Sequence, residues 1–292
     1  MNRLICLISI AFTVVAGAQN ALKTELEASY NGWRNSILRK DYASWKKWTA
    51  GHRQMEVRNR IVSEKQSFPA AVFALPTPPP SLDGLTFLNA KQKGATAKAA
   101  YFGKIDFGVG GNPTDNLLVF SFIQGRGQWQ YDRADFVNLS ALPEVRKELA
   151  AGNLRYLEET PEAQPSGVVP STPSAAQPAP YIAKVYVFCP GREVRVHVNK
   201  LSRHRFANTK EAEIVIGGAK DGQNEVQFSA RSLEGSSGKE AMTVRIYLMS
   251  QVAGVKPIKI YEYLAKEGEA VKPYATEYFT VDAAVAAKLA GK

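Results

Sequence analysis

Cysteine and histidine are scarce in this sequence, which has two cysteines and three histidines among 292 residues. Cys6 lies in the apolar stretch that opens the chain, so only Cys189 would remain after removal of a signal peptide. One cysteine excludes an intramolecular disulfide, and three scattered histidines match no zinc-ligand spacing. The sequence also has no glycine-rich phosphate loop, nucleophile elbow or internal repeat. We therefore expect neither a metal nor a cofactor.

Long apolar runs are also absent after the first 18 residues. Arg3 is followed by the apolar residues 4–15 and then by Ala16-Gly17-Ala18. This order of charge, apolar core and small residues is typical of a cleavable signal peptide. The apolar run is shorter than the roughly 20 residues that span a bilayer. The sequence predicts a signal peptide over residues 1–18 and an exported protein, periplasmic or extracellular, without a transmembrane segment.

The clearest internal boundary is the stretch of residues 161–180, which holds six prolines and no aromatic residue. This composition favours an extended spacer over a packed core. We therefore predict an N-terminal domain over residues 19–160, a proline-rich linker over residues 161–180 and a C-terminal domain over residues 181–292. The alternative is one domain with an unusually long loop.

Helical and extended patterns occupy separate parts of the N-terminal domain. Apolar residues recur every three or four positions near its start, at Leu22, Leu26, Tyr30, Trp33 and Ile37. Asp41 is placed to cap a second helix, and residues 53–68 favour a third. Extended segments follow at residues 85–88, 95–105, 117–123 and 128–137, with a hairpin turn at residues 125–127. Helices followed by antiparallel strands predict an α+β domain.

Three features of this half resemble the nuclear transport factor 2-like superfamily, also described as SnoaL-like or cystatin-like α+β cones. They are Trp33 in the first helix, the break Arg39-Lys40-Asp41-Tyr42, and the late hairpin GRGQWQYDRADFV at residues 125–137. The resemblance covers residues 20–140. It implies N-terminal helices packed in a curved antiparallel sheet, with either a ligand-binding or an isomerase or dehydratase pocket inside the cone. The catalytic motif of no family member maps onto this chain.

Several residues could serve such a pocket. An acid or base for proton transfer could come from His52, Asp106, Asp132 or Asp135, if burial tuned its pKa. The aromatic side chains that could line a ligand site are Tyr30, Trp33, Trp45 and Trp129. The alternative is that these aromatic residues form the core, which is the commoner role of large rings at helical spacing.

The C-terminal domain alternates apolar and polar residues as strands do. Val185 and Val187 precede Pro190-Gly191, and further extended runs follow at residues 194–198, 214–217, 226–230, 244–249, 258–264 and 278–281. Six or seven short strands separated by turns predict an all-β sandwich, immunoglobulin-like in general outline. Cys189 shares the face of the apolar strand residues, so we expect it in the core, whereas His197 is expected at the surface.

Basic residues outnumber acidic ones, giving a net charge of +10. The excess in the C-terminal domain concentrates near residues 181–210, and residues 199–206 are expected to form a loop after the second strand. The predicted anion-binding residues are Lys200, Arg203, Arg205, Arg192 and Arg195. The partner could be an anionic glycan, an envelope polymer or a protein, whereas no nucleic-acid motif accompanies the basic residues. Solvated surface charge is the simpler alternative.

These patterns favour an exported, non-catalytic binding or scaffolding protein. One alternative is a small-molecule enzyme that transfers protons in the N-terminal cone. A second is a basic adaptor for anionic polymers. An open cone holding a buried Asp or His would favour the enzyme, and a filled cone would favour binding.

Overall fold

The computed structural model describes residues 5–106, 112–125 and 127–292, with side chains from residue 19 onward. Residues 1–4 of the predicted signal peptide and Arg126 of the predicted hairpin turn lie outside the described residues. The chain divides into two compact units. Unit 1 contains the residues through Met55 and Val72–Pro173, and unit 2 contains Glu56–Ala71 and Ser174–Lys292.

Three helices open the chain: α1 (Ile5–Arg39), α2 (Tyr42–Trp48) and α3 (Gly51–Ser63). Lys40 follows the last residue of α1 and has a positive φ of 55°. This conformation lets the Lys40 N–H bond to Ile37 O and the Asp41 N–H bond to Ser36 O. This pair of bonds is a Schellman motif, which satisfies carbonyls at the helix end. The Asp41 carboxylate accepts the Ser44 N–H, which confirms Asp41 as the cap of α2.

The sheet of unit 1 is a four-stranded antiparallel meander in the order β1-β2-β3-β4. The strands are β1 (Thr86–Lys93), β2 (Thr96–Ile105), β3 (Thr114–Gly125) and β4 (Gln128–Asn138). All four predicted extended segments are confirmed, with ends that shift by a few residues. Together with the preceding helices they confirm the α+β class of the N-terminal half.

Both faces of this sheet carry apolar cores. Leu26 and Tyr30 of α1 pack with Phe120 and other residues on one face. The other face packs against two short helices, α4 (Pro143–Ala150) and α5 (Arg155–Glu159), through Leu149 and Leu157. The sequence analysis did not predict α4 and α5, because helices of eight and five residues give too few turns for a periodic signal.

The C-terminal half is a β-sandwich, as predicted, but it has eight strands rather than six or seven. Its sheets have the orders β11-β10-β5-β8 and β12-β9-β6-β7 and are antiparallel throughout. The strands are β5 (Ile182–Phe188), β6 (Arg192–Val198), β7 (Ser202–Ala207), β8 (Lys210–Ile214), β9 (Gly222–Ser232), β10 (Met242–Met249), β11 (Ile258–Ala265) and β12 (Tyr274–Val281). One core of alternating side chains from both sheets joins them. Cys189 lies in this core and is fully buried, as predicted.

Two local predictions in this half were wrong. Residues 202–207 are not part of a loop but form strand β7, which pairs with β6 through the turn at Asn199 and Lys200, both with positive φ. The predicted strand at residues 214–217 is instead a turn, in which the Gly218 N–H bonds to Val215 O, and β8 ends at Ile214. The buried Val215 imitated a strand signal, whereas β8 itself is an exposed edge strand without alternation.

Pro190-Gly191 does not close a hairpin, since β5 and β6 belong to different sheets. The chain ends in helix α6 (Ala283–Leu289), capped by Asp282 and packed on the sandwich core through Leu289. Among the described residues, no helix has both the length and the apolar character needed to cross a bilayer.

Candidate functional site

The aromatic residues proposed to line an N-terminal pocket pack against one another. The Tyr30 ring centroid lies 4.4 Å from that of Phe120, and the Trp33 centroid lies 4.2 Å from that of Tyr131. The Tyr30 hydroxyl donates to Pro80 O at 2.7 Å. Burial raises the pKa of both Tyr30 and Tyr131. These rings fill space between α1 and the sheet, where they stabilise the core.

The other two tryptophans proposed for the pocket, Trp45 and Trp129, are buried. Trp129 is 5% exposed, and its indole N–H donates to Glu25 Oε2 at 3.1 Å. Trp45 is 2% exposed and stacks on Tyr42 with an interplanar angle of 17°. Both residues therefore act as packing elements, and Trp129 satisfies its polar atom within unit 1.

The structure brings together two of the predicted acid or base residues. His52 Nε2 lies 2.9 Å from Asp132 Oδ1, with side chains that are 5% and 11% exposed. Next to this pair, the Ala50 N–H bonds to Tyr131 O, so the junction of α2 and α3 is fastened to β4. A buried, paired His and Asp at such a junction position the helices.

Asp135 is paired with cations rather than with His52. Asp135 Oδ2 is 3.4 Å from Arg133 Nε and 3.8 Å from Lys98 Nζ. Burial lowers the pKa of Lys98, against the opposing effect of the Asp135 carboxylate. Asp106 is exposed at the end of β2. Among the four predicted acid or base residues, His52 and Asp132 are therefore paired directly, and the carboxylates of Asp132 and Asp135 both act on Lys98.

A second polar cluster lies on the inner side of β7, and the sequence analysis missed it. Ser202 Oγ is 2.6 Å from His204 Nε2, and His204 Nδ1 is 2.6 Å from Glu213 Oε2. A proton on Nδ1, donated to Glu213, leaves Nε2 to accept the Ser202 hydroxyl proton. Nucleophile, base and orienting carboxylate have this order in serine hydrolases.

Burial prevents this cluster from acting as a hydrolase. Ser202 has no exposed surface, and its Oγ also accepts the Ile216 N–H at 2.7 Å. A serine nucleophile has to reach a substrate carbonyl, which a fully buried hydroxyl cannot do. The three side chains instead fasten β7 to β8 and to the turn after β8. Among the described residues, no group of three His, Cys, Asp or Glu side chains is placed to hold a metal ion.

The outer side of the same strand carries the strongest charge cluster of unit 2. We call it the arginine face and define it by Glu193, Arg195, Arg203, Arg205 and Arg231 on strands β6, β7 and β9. Residues at alternate positions of these strands share one side of the sheet. Register confirms the arrangement, because Arg195 is paired with Arg205 and Glu193 with Arg231.

Glu193 is the centre of the arginine face. Its side chain is 1% exposed and accepts bonds from Arg205 at 2.6 and 2.9 Å, from Arg195 at 3.0 Å and from Arg231 at 3.0 Å. These guanidinium groups, Arg231 and Arg205 foremost, lower the pKa of Glu193 to about 2. Three arginines around one carboxylate leave two positive charges uncompensated. The three arginine side chains are 59% to 65% exposed, so their remaining N–H groups face solvent.

His197 lies beside the arginine face, where it is the register partner of Arg203. Its pKa is lowered mainly by burial and further by Arg203, His204 and Arg195. His197 is therefore mainly neutral at pH 7, and the positive charge around it at that pH comes from Arg203 and Arg195.

The other predicted anion-binding residues separate into two cases. Lys200 is exposed at the β6–β7 turn, at one end of the sheet face. Arg192 is 3% exposed, and its guanidinium bonds to Glu240 O at 2.7 Å and to the Gly238 carbonyl. Arg192 therefore holds a loop of the sandwich, whereas Arg195, Arg203, Arg205 and Lys200 face solvent.

Sequence reasoning missed Glu193 and Arg231 as members of the cluster. Arg231 is 26 residues from Arg205, and only the register of β9 against β6 brings it to Glu193. The available signal was the alternation of polar residues at positions 225, 227, 229 and 231, which marks one outer face.

Comparison with protein-family models, with curated proteins and with solved structures gives no significant match to this chain.

Proposed function

We propose that this protein is an exported, non-catalytic binding protein that holds an anionic polymer on the arginine face. The observation that carries the proposal is the cluster around Glu193, where three arginines share one buried carboxylate. Buried Glu193 fixes the arginines in place, which lowers the entropy lost when they bind a ligand. The excess of positive charge attracts anions, and the open sheet face admits an extended chain.

The test is binding of the full chain to dextran sulfate, with neutral dextran as the control polymer. We expect binding to dextran sulfate only, weakening steeply as salt rises, because screening shortens electrostatic attraction. The double variant Arg195→Gln/Arg231→Gln should weaken binding about tenfold or more. It leaves both Arg205 bonds to Glu193 Oε2 in place, so the fold should be retained.

A matched control is Arg245→Gln in the other sheet, whose arginine forms an ion pair with Glu262. It removes the same charge from the protein as each single substitution on the arginine face. Equal loss of binding in Arg245→Gln, or equal binding to neutral dextran, would show that the arginine face is not the site.

Proton-transfer catalysis in the N-terminal unit finds no comparable support. The aromatic rings between α1 and the sheet pack closely, His52 and Asp132 are paired with each other, and Asp135 is paired with Arg133 and Lys98. The packing of helices on an antiparallel sheet is consistent with the nuclear transport factor 2-like resemblance, which we retain as a proposal for this unit. The same holds for the immunoglobulin-like outline of the sandwich.

The proposal that the protein is exported depends on the signal peptide predicted over residues 1–18. We also retain as a proposal the division into domains at residues 19–160 and 181–292. Mass spectrometry of the exported chain tests the cleavage, and a first residue other than Gln19 would contradict it.

A further inference from the structure

Two basic clefts open on the outer face of the sheet β12-β9-β6-β7. The first, the Arg195 cleft, has a volume of about 290 Å³ and is lined by Glu193, Arg195, Ser229, Ala230 and Arg231. The second, the Lys220 cleft, has a volume of about 320 Å³ and is lined by Asn199, Lys200, Lys220, Gln223, Glu225 and Tyr278. The second cleft lies outside the arginine face as defined by its five residues.

The two clefts have the same charge pattern. Arg195 and Arg231 face one carboxylate in the Arg195 cleft. Lys200 and Lys220 face one carboxylate, that of Glu225, in the Lys220 cleft. Each cleft is therefore lined by one more cation than carboxylates, and Arg205, which also bonds to Glu193, adds to the positive charge beside the Arg195 cleft. Two separate positive regions suit a ligand with acidic groups at separate positions.

An exposed tyrosine of β12 lies beside each cleft. Register pairs Tyr274 with Ser229 of the Arg195 cleft and Tyr278 with Glu225 of the Lys220 cleft. The two tyrosines are 58% and 54% exposed. They are four residues apart and on the same side of the strand, which is about 13 Å along an extended chain.

The surface between the clefts is polar and mostly uncharged. It contains Gln227 of β9 and Thr276 of β12, which are register partners, and His197, the partner of Gln227 on β6. Amide and hydroxyl groups at such positions both donate and accept hydrogen bonds. They match a ligand that is rich in hydroxyl groups between its charges.

From this repeated arrangement, and resting on the proposed function, we infer that the ligand is an acidic polysaccharide that lies along β9 and β12 and occupies both clefts. Tyrosine offers a flat apolar face to a sugar ring and a hydroxyl to the surrounding solvent and ligand. The cations bind the acidic groups, and the spacing of the clefts requires a chain longer than one sugar unit.

Charge spacing favours a polysaccharide over a nucleic acid. A nucleic-acid strand has one negative charge about every 3.4 Å. The positive charge of this sheet face is concentrated at the two clefts, which are about 13 Å apart. The carboxylate of Glu225 would also repel closely spaced phosphates, whereas it can accept hydrogen bonds from sugar hydroxyls.

The test is titration of the full chain with galacturonate oligomers of increasing length, polygalacturonate, oligo(dT) and polyphosphate. We expect affinity for galacturonate oligomers to rise about tenfold or more once one chain reaches both clefts, because the second contact becomes intramolecular. We call this rise in affinity with oligomer length the length step.

Lys200→Gln/Lys220→Gln should remove the length step and leave the affinity of short oligomers within about twofold. Tyr274→Ala/Tyr278→Ala should weaken galacturonate binding more than oligo(dT) binding. Lys256→Gln, on the exposed loop before β11, is the matched lysine control and should retain the step.

The outcomes separate the two proposals. If neither dextran sulfate nor any of these anions binds with a dissociation constant below about 1 mM, the proposed function itself is wrong. Equal binding of all anions, with no length step and no effect of the tyrosine substitutions, would contradict the inference that the ligand is an acidic polysaccharide. It would leave the proposed anion-binding function in place. A length step that Lys200→Gln/Lys220→Gln removes, with preference for galacturonate over oligo(dT), supports both.

Discussion

The two sides of strand β7 carry polar clusters of opposite character. Ser202 and His204 point inward, where they bond to Glu213 and to the Ile216 N–H and are closed to solvent. Arg203 and Arg205 point outward, where Arg205 shares Glu193 with two other arginines and keeps exposed donors. The inner cluster contains the residue types of a hydrolase but no access, and the outer one contains ordinary arginines with access. Access and unused hydrogen-bonding groups therefore identify a site better than residue type does.

The largest expected effect comes from breaking the inner cluster. His204→Ala removes the bonds to Ser202 and Glu213 and leaves a cavity beside Phe206, so we expect a loss of about 3 kcal/mol in the free energy of unfolding. Urea denaturation measures this loss. Arg203→Ala, one residue away on the outer side, is the control and should change stability by about 0.5 kcal/mol or less. Labelling of Ser202 by a fluorophosphonate probe would contradict the closed cluster.

Glu193→Gln should separate stability from binding on the outer side. Removing the carboxylate leaves all three arginines uncompensated. Because we expect the added charge to outweigh the looser positioning of the arginines, affinity for dextran sulfate should rise about threefold to tenfold while stability at pH 7 falls. The pKa of Glu193 is lowered from 4.5 to about 2 in the folded protein. Its stabilising contribution is therefore complete above pH 4.5 and is lost as the pH falls towards 2.

Denaturation of wild type and Glu193→Gln as a function of pH checks this dependence. The difference in stability should be constant near neutral pH and should shrink below pH 4.5. A difference that persists unchanged towards pH 2, or weaker binding of dextran sulfate by Glu193→Gln, would mean that Glu193 acts other than through its charge.

The smallest expected effect is a pH dependence set by His197. Its lowered pKa keeps the ring neutral at pH 7, and protonation at lower pH adds a positive charge beside Arg203 and Arg195. Polymer affinity should rise about twofold as the pH falls below the ordinary histidine range and His197 becomes protonated, and His197→Gln should not show this rise. Stability has the opposite dependence, because a lowered histidine pKa stabilises the fold above the unfolded value of 6.5 and less below it. A rise of equal size in His197→Gln would assign the effect to another group.

The first three helices, the meander and most sandwich strands could be predicted because their apolar residues follow one clear period. Strand β7 could not be predicted in this way. Its outward positions are arginines and its inward positions include Ser202 and His204, so polar residues occur on both sides and no apolar alternation is visible. Its partner turn depends on positive φ at Asn199 and Lys200, which composition indicates only weakly.

The candidate site was predicted in part, for a similar reason. Arg195, Arg203 and Arg205 are close in sequence and could be grouped by charge alone. Arg231 and the tyrosines of β12 join them only through strand register, and the burial of Arg192 depends on the Gly238–Glu240 loop. Local charge density is visible in a sequence, but membership of one sheet face is not.

Strand β8 has a consequence for self-association. It is a five-residue edge strand, and its exposed residues include Lys210, Glu211 and Glu213. Unpaired strand edges invite pairing with another chain, and charged side chains on a short edge oppose this. The exposed, charged residues of β8 give no apolar alternation, so the strand was not predicted from the sequence. The same residues protect β8 against edge-to-edge aggregation.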